Sequence, residues 1–178
     1  RTCLRKALTM TNLDVWEQRP AEEANLFNPA FVGSLIYEFT KVFQNGKPDG
    51  TPLTYLPIAF AVSLHGQTRN RLPASSVTSL YEWVQDNEDL LIGLNERIEG
   101  LLPYVREAIR FSLGQGSIRF CAGHNLQLGE SRAHFSAQFI RETTPEVTEI
   151  ISKSKFLARW FLKSGSESSI LACWGVRP

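Results

Sequence analysis

Histidine and cysteine, the residues that most often bind metals or carry protons, are few in this sequence and widely separated. The three histidines are His65, His124 and His134, and none lies four residues from another, the spacing of two metal ligands on one helical face. The three cysteines include no CxxC pair, so we predict free or buried thiols rather than a zinc site. We therefore expect the chain to bind no metal and no cofactor.

Motifs for nucleophilic catalysis and phosphate binding do not occur in the sequence. There is no GxSxG nucleophile elbow. Gly114-Gln115-Gly116 is too short for a phosphate-binding loop, and an apparent strand follows it where such a loop needs a helix. We expect no catalytic residue and no enzymatic activity. The alternative is a small hydrolase that uses His65 or His124 with a serine.

Length and composition are those of one ordinary globular domain. The chain has 178 residues, 43% of them hydrophobic and 21% charged. We interpret it as a single domain over residues 1–178, with residues 1–18 as an N-terminal extension. Residues 1–9 precede the only methionine, Met10, and are either part of the natural product or translated leader. The net charge of +1 creates no global field that would attract nucleic acid.

Nothing in the sequence directs the chain to a membrane or out of the cell. No apolar run approaches the ~20 residues that cross a bilayer. The first residues do not form a signal-peptide pattern. The sequence therefore predicts a cytoplasmic protein with no membrane partner.

An amphipathic stretch from Glu88 to Leu113 predicts a long central helix around which the rest of the chain folds. Gly100 and Pro103 lie inside it. Because proline removes a backbone donor and clashes with the preceding turn, we expect a kink or a break near Leu101. The residues of this face recur at the three-then-four spacing of a helix, and all but the small Ser112 are hydrophobic: Leu91, Leu94, Ile98, Leu101, Leu102, Val105, Ala108, Ile109, Ser112 and Leu113.

Two further helices have clear start signals. Asn28 followed by Pro29 predicts a capped helix that runs to about Gln44. Thr144 followed by Pro145 and an acidic residue predicts a second one, which runs to about Lys163. The apolar run from Leu56 to Leu64 is compatible with a buried helix or a buried strand, and we favour the helix.

Shorter helices are predicted from serine caps. Ser75 or Ser76 caps one that runs to about Gln85, and Ser168 caps a last one over Ser169–Trp174. The first of these is expected to place Trp83 at its flank and to bury four residues: Val77, Leu80, Tyr81 and Val84.

The pattern changes to a period of two after Ser117. Ile118 to Ala122, a turn at Gly123-His124-Asn125, and Leu126 to Leu128 predict a short β-hairpin. Residues 131–142 are predicted to be a loop with a short ordered piece around Phe135 and Phe139. The fold class is therefore mainly α: one helical domain built round a long central helix, with a small β-hairpin that leaves a winged-helix-like arrangement open.

One helical face combines aromatic and cationic side chains. Lys153, Phe156, Trp160 and Lys163 recur at helical spacing, either as a second core contact with extended lysines or as a docking surface. Elsewhere, Arg69 and Arg71 are either phosphate contacts or ordinary surface charge.

Several stretches together resemble the middle component of bacterial three-component ABC (ABC-3C) systems. Each is short, but their order along the chain makes the set specific. They are Glu22 to Phe31, Arg71-Leu72-Pro73, Ser79-Leu80 with Trp83, Leu102-Pro103-Tyr104, Arg106-Glu107-Ala108, Ala158-Arg159-Trp160-Phe161 and Gly175-Val176-Arg177-Pro178.

The resemblance implies a small non-catalytic subunit that bridges an SMC- or Rad50-like ATPase and an effector, often a nuclease. Such systems resemble anti-phage or anti-plasmid defence modules of the Lamassu type, in which DNA is contacted through the complex. The alternative is a stand-alone winged-helix DNA-binding protein, against which the near-neutral charge argues. The predicted protein-interface residues are Asn25, Phe27, Asn28, Arg71, Phe156, Trp160 and Arg177.

Overall fold

The secondary structure of the chain is mainly helical in a computed structural model that describes residues 13–121 and 124–176. The predicted fold class is confirmed: the chain is mainly helical, and one small antiparallel sheet packs against the helices. In chain order, the elements are α1 (Ala21–Leu26), α2 (Pro29–Gly46), β1 (Thr51–Pro52), α3 (Tyr55–Ser63), α4 (Gly66–Arg71), α5 (Leu80–Asp86), α6 (Leu94–Gly114), β2 (Ile118–Cys121), β3 (Asn125–Leu128), α7 (Ala137–Glu142), α8 (Pro145–Lys163) and α9 (Glu167–Cys173).

Helices α2, α6 and α8 form the centre of the molecule. Helix α2 packs against both α6 and α8, and α3 packs against the same two helices. The predicted central helix, α6, is therefore central together with α2, which is buried on most of its circumference. Phe39 and Phe43 of α2, Tyr55 of α3 and Phe161 of α8 meet in edge-to-face and stacked ring contacts. These aromatic contacts join the three helices into one core.

Helix α6 begins later than predicted and is not broken. Glu88–Leu91 forms a separate 3-10 turn, and Gly93 adopts a φ of 72° before α6 starts, a conformation that favours glycine. Of the kink or break expected near Leu101, the break is absent, because the helix continues from Leu94 through Pro103; the kink stays a prediction. Pro103 has no N–H to donate to the carbonyl of Glu99, four residues earlier. Glu99 is exposed, so water can solvate that carbonyl, and the helix tolerates the proline.

The start signals of α2 and α8 act as predicted. The Asn28 side chain accepts a hydrogen bond from the Ala30 N–H at 2.8 Å. The Thr144 hydroxyl accepts one from the Val147 N–H at 3.3 Å. Each cap supplies an acceptor to a backbone donor that has no partner within the helix. The helical interpretation of the apolar run at α3 is also confirmed.

The start of α5 was predicted wrongly. The helix begins at Leu80 and is capped by Ser79, whereas Ser75 holds a turn by accepting from the Val77 N–H. Val77 and Tyr81 consequently remain exposed, by 84% and 63%, instead of joining the core. Residue Trp83, which the helical period placed at the flank, is buried.

The last helix also differs in its cap. It begins at Glu167 and ends at Cys173, and its cap is Ser166 rather than Ser168. The Ser166 hydroxyl accepts from the Ser169 N–H at 3.2 Å. A run rich in serine offers several equivalent caps, so local sequence alone does not select one of them.

The predicted hairpin is present, and the sheet has a third strand. Strands β2 and β3 pair antiparallel with Ile118 opposite Leu128, and β1 pairs with the other edge of β3, with Thr51 opposite Leu126. Of the predicted turn, His124 has a φ of 66° and Asn125 already belongs to β3. Gly123 of the turn and Ala122 of the predicted strand lie outside the described residues. The short ordered piece expected near Phe139 is helix α7, capped by Ser136.

Within the predicted N-terminal extension, Trp16–Gln18 forms a 3-10 turn. The predictions for residues 1–9 and for the tail residue Arg177 lie outside the described residues. In the part of the chain that is described, no helix combines the length and the apolar character that a membrane crossing requires.

Candidate functional site

Two segments of the family resemblance, distant in sequence, lie against each other at the start of the fold. The Arg19 guanidinium donates two hydrogen bonds to the Glu107 carboxylate, Nη1 to Oε2 at 2.8 Å and Nη2 to Oε1 at 2.7 Å. Its Nε donates to the Asp14 carbonyl at 2.8 Å. The Arg19 side chain is only 4% exposed. A paired, fork-shaped contact of this kind fixes the approach to α1 against α6.

Two more contacts, Glu23–Tyr104 and Phe27–Tyr104, complete this attachment. We call these two contacts and Arg19–Glu107 together the α1 latch. The Tyr104 hydroxyl donates to Glu23 Oε1 at 2.7 Å. The Phe27 ring stacks on Tyr104 with centroids 4.3 Å apart and planes at 25°. Residue Phe27, predicted to contact a partner, is therefore half-buried in an intramolecular contact.

The latch changes the acidity of Tyr104. Burial, and then the hydrogen bond to Glu23, raise the pKa of Tyr104 to about 12. The folded state thus holds its proton more tightly than the unfolded chain, whose tyrosines titrate near ~10. This contribution to stability is present below about pH 10 and is lost as the pH rises towards the folded value.

We expect Glu23→Gln to lower the pKa of Tyr104, because the substitution removes the carboxylate that favours the neutral phenol. The change is measured by ultraviolet titration of the phenolate, with Tyr104→Phe used to assign the late-titrating signal. Glu22→Gln is the matched control, since Glu22 is exposed and lies outside the latch. An unchanged Tyr104 titration in Glu23→Gln would contradict the latch geometry.

Phe156 and Trp160 belong to the core, and their prediction as docking residues is wrong. Trp160 is fully buried, and its indole N–H donates to the Thr78 carbonyl at 2.6 Å. Its ring contacts Trp83 edge to face with centroids 5.5 Å apart, and Phe156 at 5.4 Å. The alternative, a second core contact, is what the fold adopts. The helical period predicted that Phe156 and Trp160 lie on one face of α8. It could not predict the residues that cover this face, which come from α5 and the loop before it.

The two neighbouring arginines have opposite surroundings. Arg71 is exposed and forms an ion pair with Asp89, a contact that lowers the pKa of that carboxyl. Arg69 is buried, donates to the Ser63 carbonyl at 3.0 Å, and reaches carboxylates of α8. Sequence analysis treated both as surface residues, and no local signal distinguishes them. Only the packing of α4 between α3 and α8 buries one of the pair.

Two other predicted interface residues are explained more simply. Asn28 is the cap of α2. Asn25 is exposed on α1, where it remains a candidate for a partner contact. Phe27, Asn28 and Arg71 all act within the chain, so the predicted set does not come together as one surface.

In the part of the chain that the structure describes, side chains suited to catalysis are not assembled into a site. Among the described residues, no three His, Cys, Asp or Glu side chains converge as a metal would require. The His65 ring lies 2.8 Å from the Thr68 hydroxyl, and burial, then Arg97 and Arg69, lower its pKa. His124 is exposed at the hairpin turn. Within the residues that the structure describes, neither histidine forms a hydrogen bond with a serine.

One concave surface, which we call the apolar groove, has a volume of about 720 Å³. It lies between the N-terminal ends of α3 and α6 and the end of α9. Thr54, Asn95 and Glu99 form its polar rim. Its floor is apolar and consists of Pro57, Ile58, Ile98, Leu102, Leu171 and Val176.

A second concave surface, which we call the aromatic cleft, has a volume of about 280 Å³ and lies at the other end of α6. Phe111, Ser112 and Gln115 line it from α6, and Arg132 lines it from the loop after the hairpin. Along α6, Ile98 of the groove and Ser112 of the cleft are separated by about 21 Å at the helical rise of 1.5 Å per residue. Sequence analysis missed both surfaces because each combines residues from three or more segments.

Comparison with known proteins agrees with the resemblance. The family model described as ABC-three component (ABC-3C) system Middle Component 3 matches residues 16–178. No curated protein and no solved structure matches the chain. The family match runs from the 3-10 turn before the α1 latch to the last residue, so it includes the three contacts of the latch. The chain belongs to the Middle Component 3 family of ABC-three component systems.

Proposed function

We propose that this protein is a non-catalytic subunit that bridges the other two components of its system. Those components are an SMC- or Rad50-like ATPase and an effector of the nuclease type. The complex acts in anti-phage or anti-plasmid defence of the Lamassu type, in the cytoplasm. Membership of a middle-component family supports partnering with other components of the system.

The observation that carries the proposal is the presence of two concave surfaces at the two ends of one rigid helix. A bridging subunit needs two docking sites that are separate, so that one partner does not displace the other. The apolar groove and the aromatic cleft satisfy this requirement along α6. Because α6 packs on α2 and α3, the distance between the two surfaces is held by the core.

Bridging also gives a physical route to regulation. In the resting complex, the subunit keeps the effector inactive until the ATPase senses foreign DNA. Such coupling needs contacts whose free energy differs between the resting and the DNA-bound complex. The subunit itself then supplies neither ATP hydrolysis nor DNA cleavage, and DNA is contacted through the complex.

The test is co-expression of the three components, followed by affinity purification through a tag on the ATPase. We expect the effector to co-purify only when this subunit is present. The purified subunit alone is expected to show neither ATPase nor nuclease activity. Recovery of the effector without the subunit, or robust hydrolysis by the pure subunit, would reject the proposal.

A second measurement tests the alternative that the chain is a stand-alone DNA-binding protein. Fluorescence anisotropy of a labelled DNA duplex is recorded with the isolated chain at several salt concentrations. A protein that binds DNA through several phosphates loses affinity steeply as salt rises. We expect no such binding from a chain of net charge +1. Tight, salt-dependent binding would favour the DNA-binding alternative.

A further inference from the structure

We propose that the apolar groove is the docking site for one basic, amphipathic α-helix of another component of the system. The occupant carries apolar side chains of about leucine size at positions i and i+4, with a lysine or arginine beside them. This inference rests on the proposed bridging function and deepens it, because it gives the secondary structure and the charge of the partner at one of the two docking surfaces.

The lining of the groove is apolar at its base and on its walls. Three of its six apolar residues are at most 8% exposed and form the base: Ile58, Ile98 and Leu171. The other three are half-buried and keep part of their surface open to solvent: Pro57, Leu102 and Val176. An apolar concavity with a small polar rim is the kind of surface that an amphipathic helix covers with its own apolar face.

The length of the groove along α6 matches two turns of a helix. Asn95, Glu99 and Leu102 line it at the four- and three-residue spacing of one helical face. At a rise of 1.5 Å per residue, this stretch is about 10 Å long. A second helix packs against a ridge of this spacing. No strand of the described sheet lines the groove, so the geometry favours a helix over an extended segment.

Hydrogen bonds within the chain hold the wall that α3 and α9 form. The Thr54 hydroxyl donates to Glu167 Oε1 at 2.6 Å and so joins the start of α3 to the start of α9. At the other end of α9, the Val176 N–H donates to the Leu171 carbonyl at 2.9 Å, and Gly175 has a φ of 68°. This helix-ending motif fixes Val176 beside Leu171. The groove is therefore preformed, and a partner does not have to order it on binding.

The charge at the groove is negative. The three segments that line it are residues 53–58, 94–102 and 166–176. They carry three glutamates and one arginine, Arg97. Glu99 lines the groove, Glu167 is bound to the rim residue Thr54, and Glu96 lies one turn before Glu99 on α6. None of the three glutamates belongs to an ion pair among the described residues.

Neighbouring arginines do not cancel this charge. Arg97 lies on the side of α6 opposite the lining residues, and its guanidinium donates to the carbonyls of Leu90 and Ile92 at 3.0 and 3.2 Å. Arg106 lies one turn beyond the groove on α6. If Arg177, outside the described residues, is counted as well, the lining segments still have three glutamates against two arginines. Charge complementarity therefore favours a lysine or arginine on the incoming helix.

A second copy of this chain does not offer such a helix among the described residues. Large exposed hydrophobic side chains occur on four of the helices, α1, α5, α6 and α7, but only one on each: Leu26, Tyr81, Phe111 and Phe139. A groove two turns long needs two apolar side chains, four residues apart, from its occupant. The occupant is therefore a helix of another component.

The test identifies the occupant by photo-crosslinking within the co-expressed three-component complex. The photoreactive amino acid p-benzoylphenylalanine replaces Asn95, an exposed rim residue, and mass spectrometry identifies the crosslinked peptide. We expect one peptide of another component, with apolar residues four apart and a lysine or arginine within one turn of them. The same amino acid in place of Tyr81, which is exposed outside the groove, is expected not to crosslink to this peptide. A crosslink to this chain or to a peptide of other chemistry, or none from an intact complex, would overturn the proposal.

Two variants measure the apolar and the charged contribution. We expect Leu102→Asp to reduce recovery of the crosslinked component at least ~tenfold, as for loss of an interface anchor. Glu99→Lys is expected to reduce it ~threefold or more, because it places like charges together. Glu82→Lys is the matched control: it makes the same change at an exposed residue of α5 outside the groove. Circular dichroism of each variant confirms that the fold is kept.

The outcomes separate this inference from the proposed function. If the wild-type subunit fails to join the ATPase and the effector, the bridging function is rejected. If it joins them, and Glu99→Lys and Leu102→Asp do so equally well, the groove proposal alone is overturned. Because Glu99 is exposed, its substitution tests the groove even if Leu102→Asp fails to fold.

Discussion

Trp160→Ala is expected to lower the free energy of unfolding by about 4 kcal/mol, near the upper end of large-to-small substitutions in protein cores. Trp160 is fully buried in α8 and contacts both Trp83 and Phe156. Its removal leaves a cavity among these rings and leaves the Thr78 carbonyl without its hydrogen-bond donor. Equilibrium urea unfolding followed by circular dichroism measures the loss.

Two further variants separate packing from hydrogen bonding at this position. Trp160→Phe keeps much of the ring volume but removes the indole N–H, so it is expected to cost about 1–2 kcal/mol. Tyr81→Ala is the control at an exposed aromatic residue, with an expected change within about 0.5 kcal/mol. A loss below about 1 kcal/mol for Trp160→Ala would show that Trp160 is not a core residue.

Arg69→Ala is expected to cost about 2–3 kcal/mol, although Arg69 lies in a polar stretch of the sequence. The buried guanidinium donates to the Ser63 carbonyl at 3.0 Å, and its stem packs between α3 and α8. Its carboxylate partners, Glu146 and Glu149, are 68% and 40% exposed, so water screens the two ion pairs. Most of the loss therefore comes from the unsatisfied Ser63 carbonyl and from lost packing.

The neighbouring arginine offers a matched comparison. Arg71 pairs with Asp89, but the two side chains are 43% and 61% exposed. We expect Arg71→Ala to change the free energy of unfolding by less than about 1 kcal/mol. Glu146→Gln is expected to have a similarly small effect, because an exposed ion pair contributes little. Equal losses for Arg69→Ala and Arg71→Ala in urea unfolding would contradict the burial of Arg69.

The contacts that unite the family segments are mainly structural. The α1 latch joins the segment that contains Glu23 and Phe27 to the segment that contains Tyr104 and Glu107. The two concave surfaces that we propose as docking sites, the apolar groove and the aromatic cleft, lie beside these contacts along α6. Of the predicted interface residues that the structure describes, Phe156 and Trp160 are buried, Phe27 and Asn28 are half-buried, and Asn25 and Arg71 are exposed.

The sequence by itself determined the helices whose signals are local. Asn28 before Pro29 and Thr144 before Pro145 placed the starts of α2 and α8, because a cap needs only residues within one turn. The apolar run of α3 was also correctly interpreted, as was the hairpin. Serine-rich stretches were less informative, since neighbouring serines compete for the same role. The family resemblance could likewise be identified from the order of short segments.

Only the tertiary structure decided which polar residues are buried and which apolar ones remain exposed. Strand β1 has two residues and exists only because β3, more than seventy residues later, supplies its hydrogen-bond partners. Arg69 is buried because α8, more than seventy residues later in the chain, packs against it. Val77 is exposed because α5 begins only at Leu80. The free energy of burial depends on all the neighbours in space, whereas a sequence pattern contains only the neighbours along the chain.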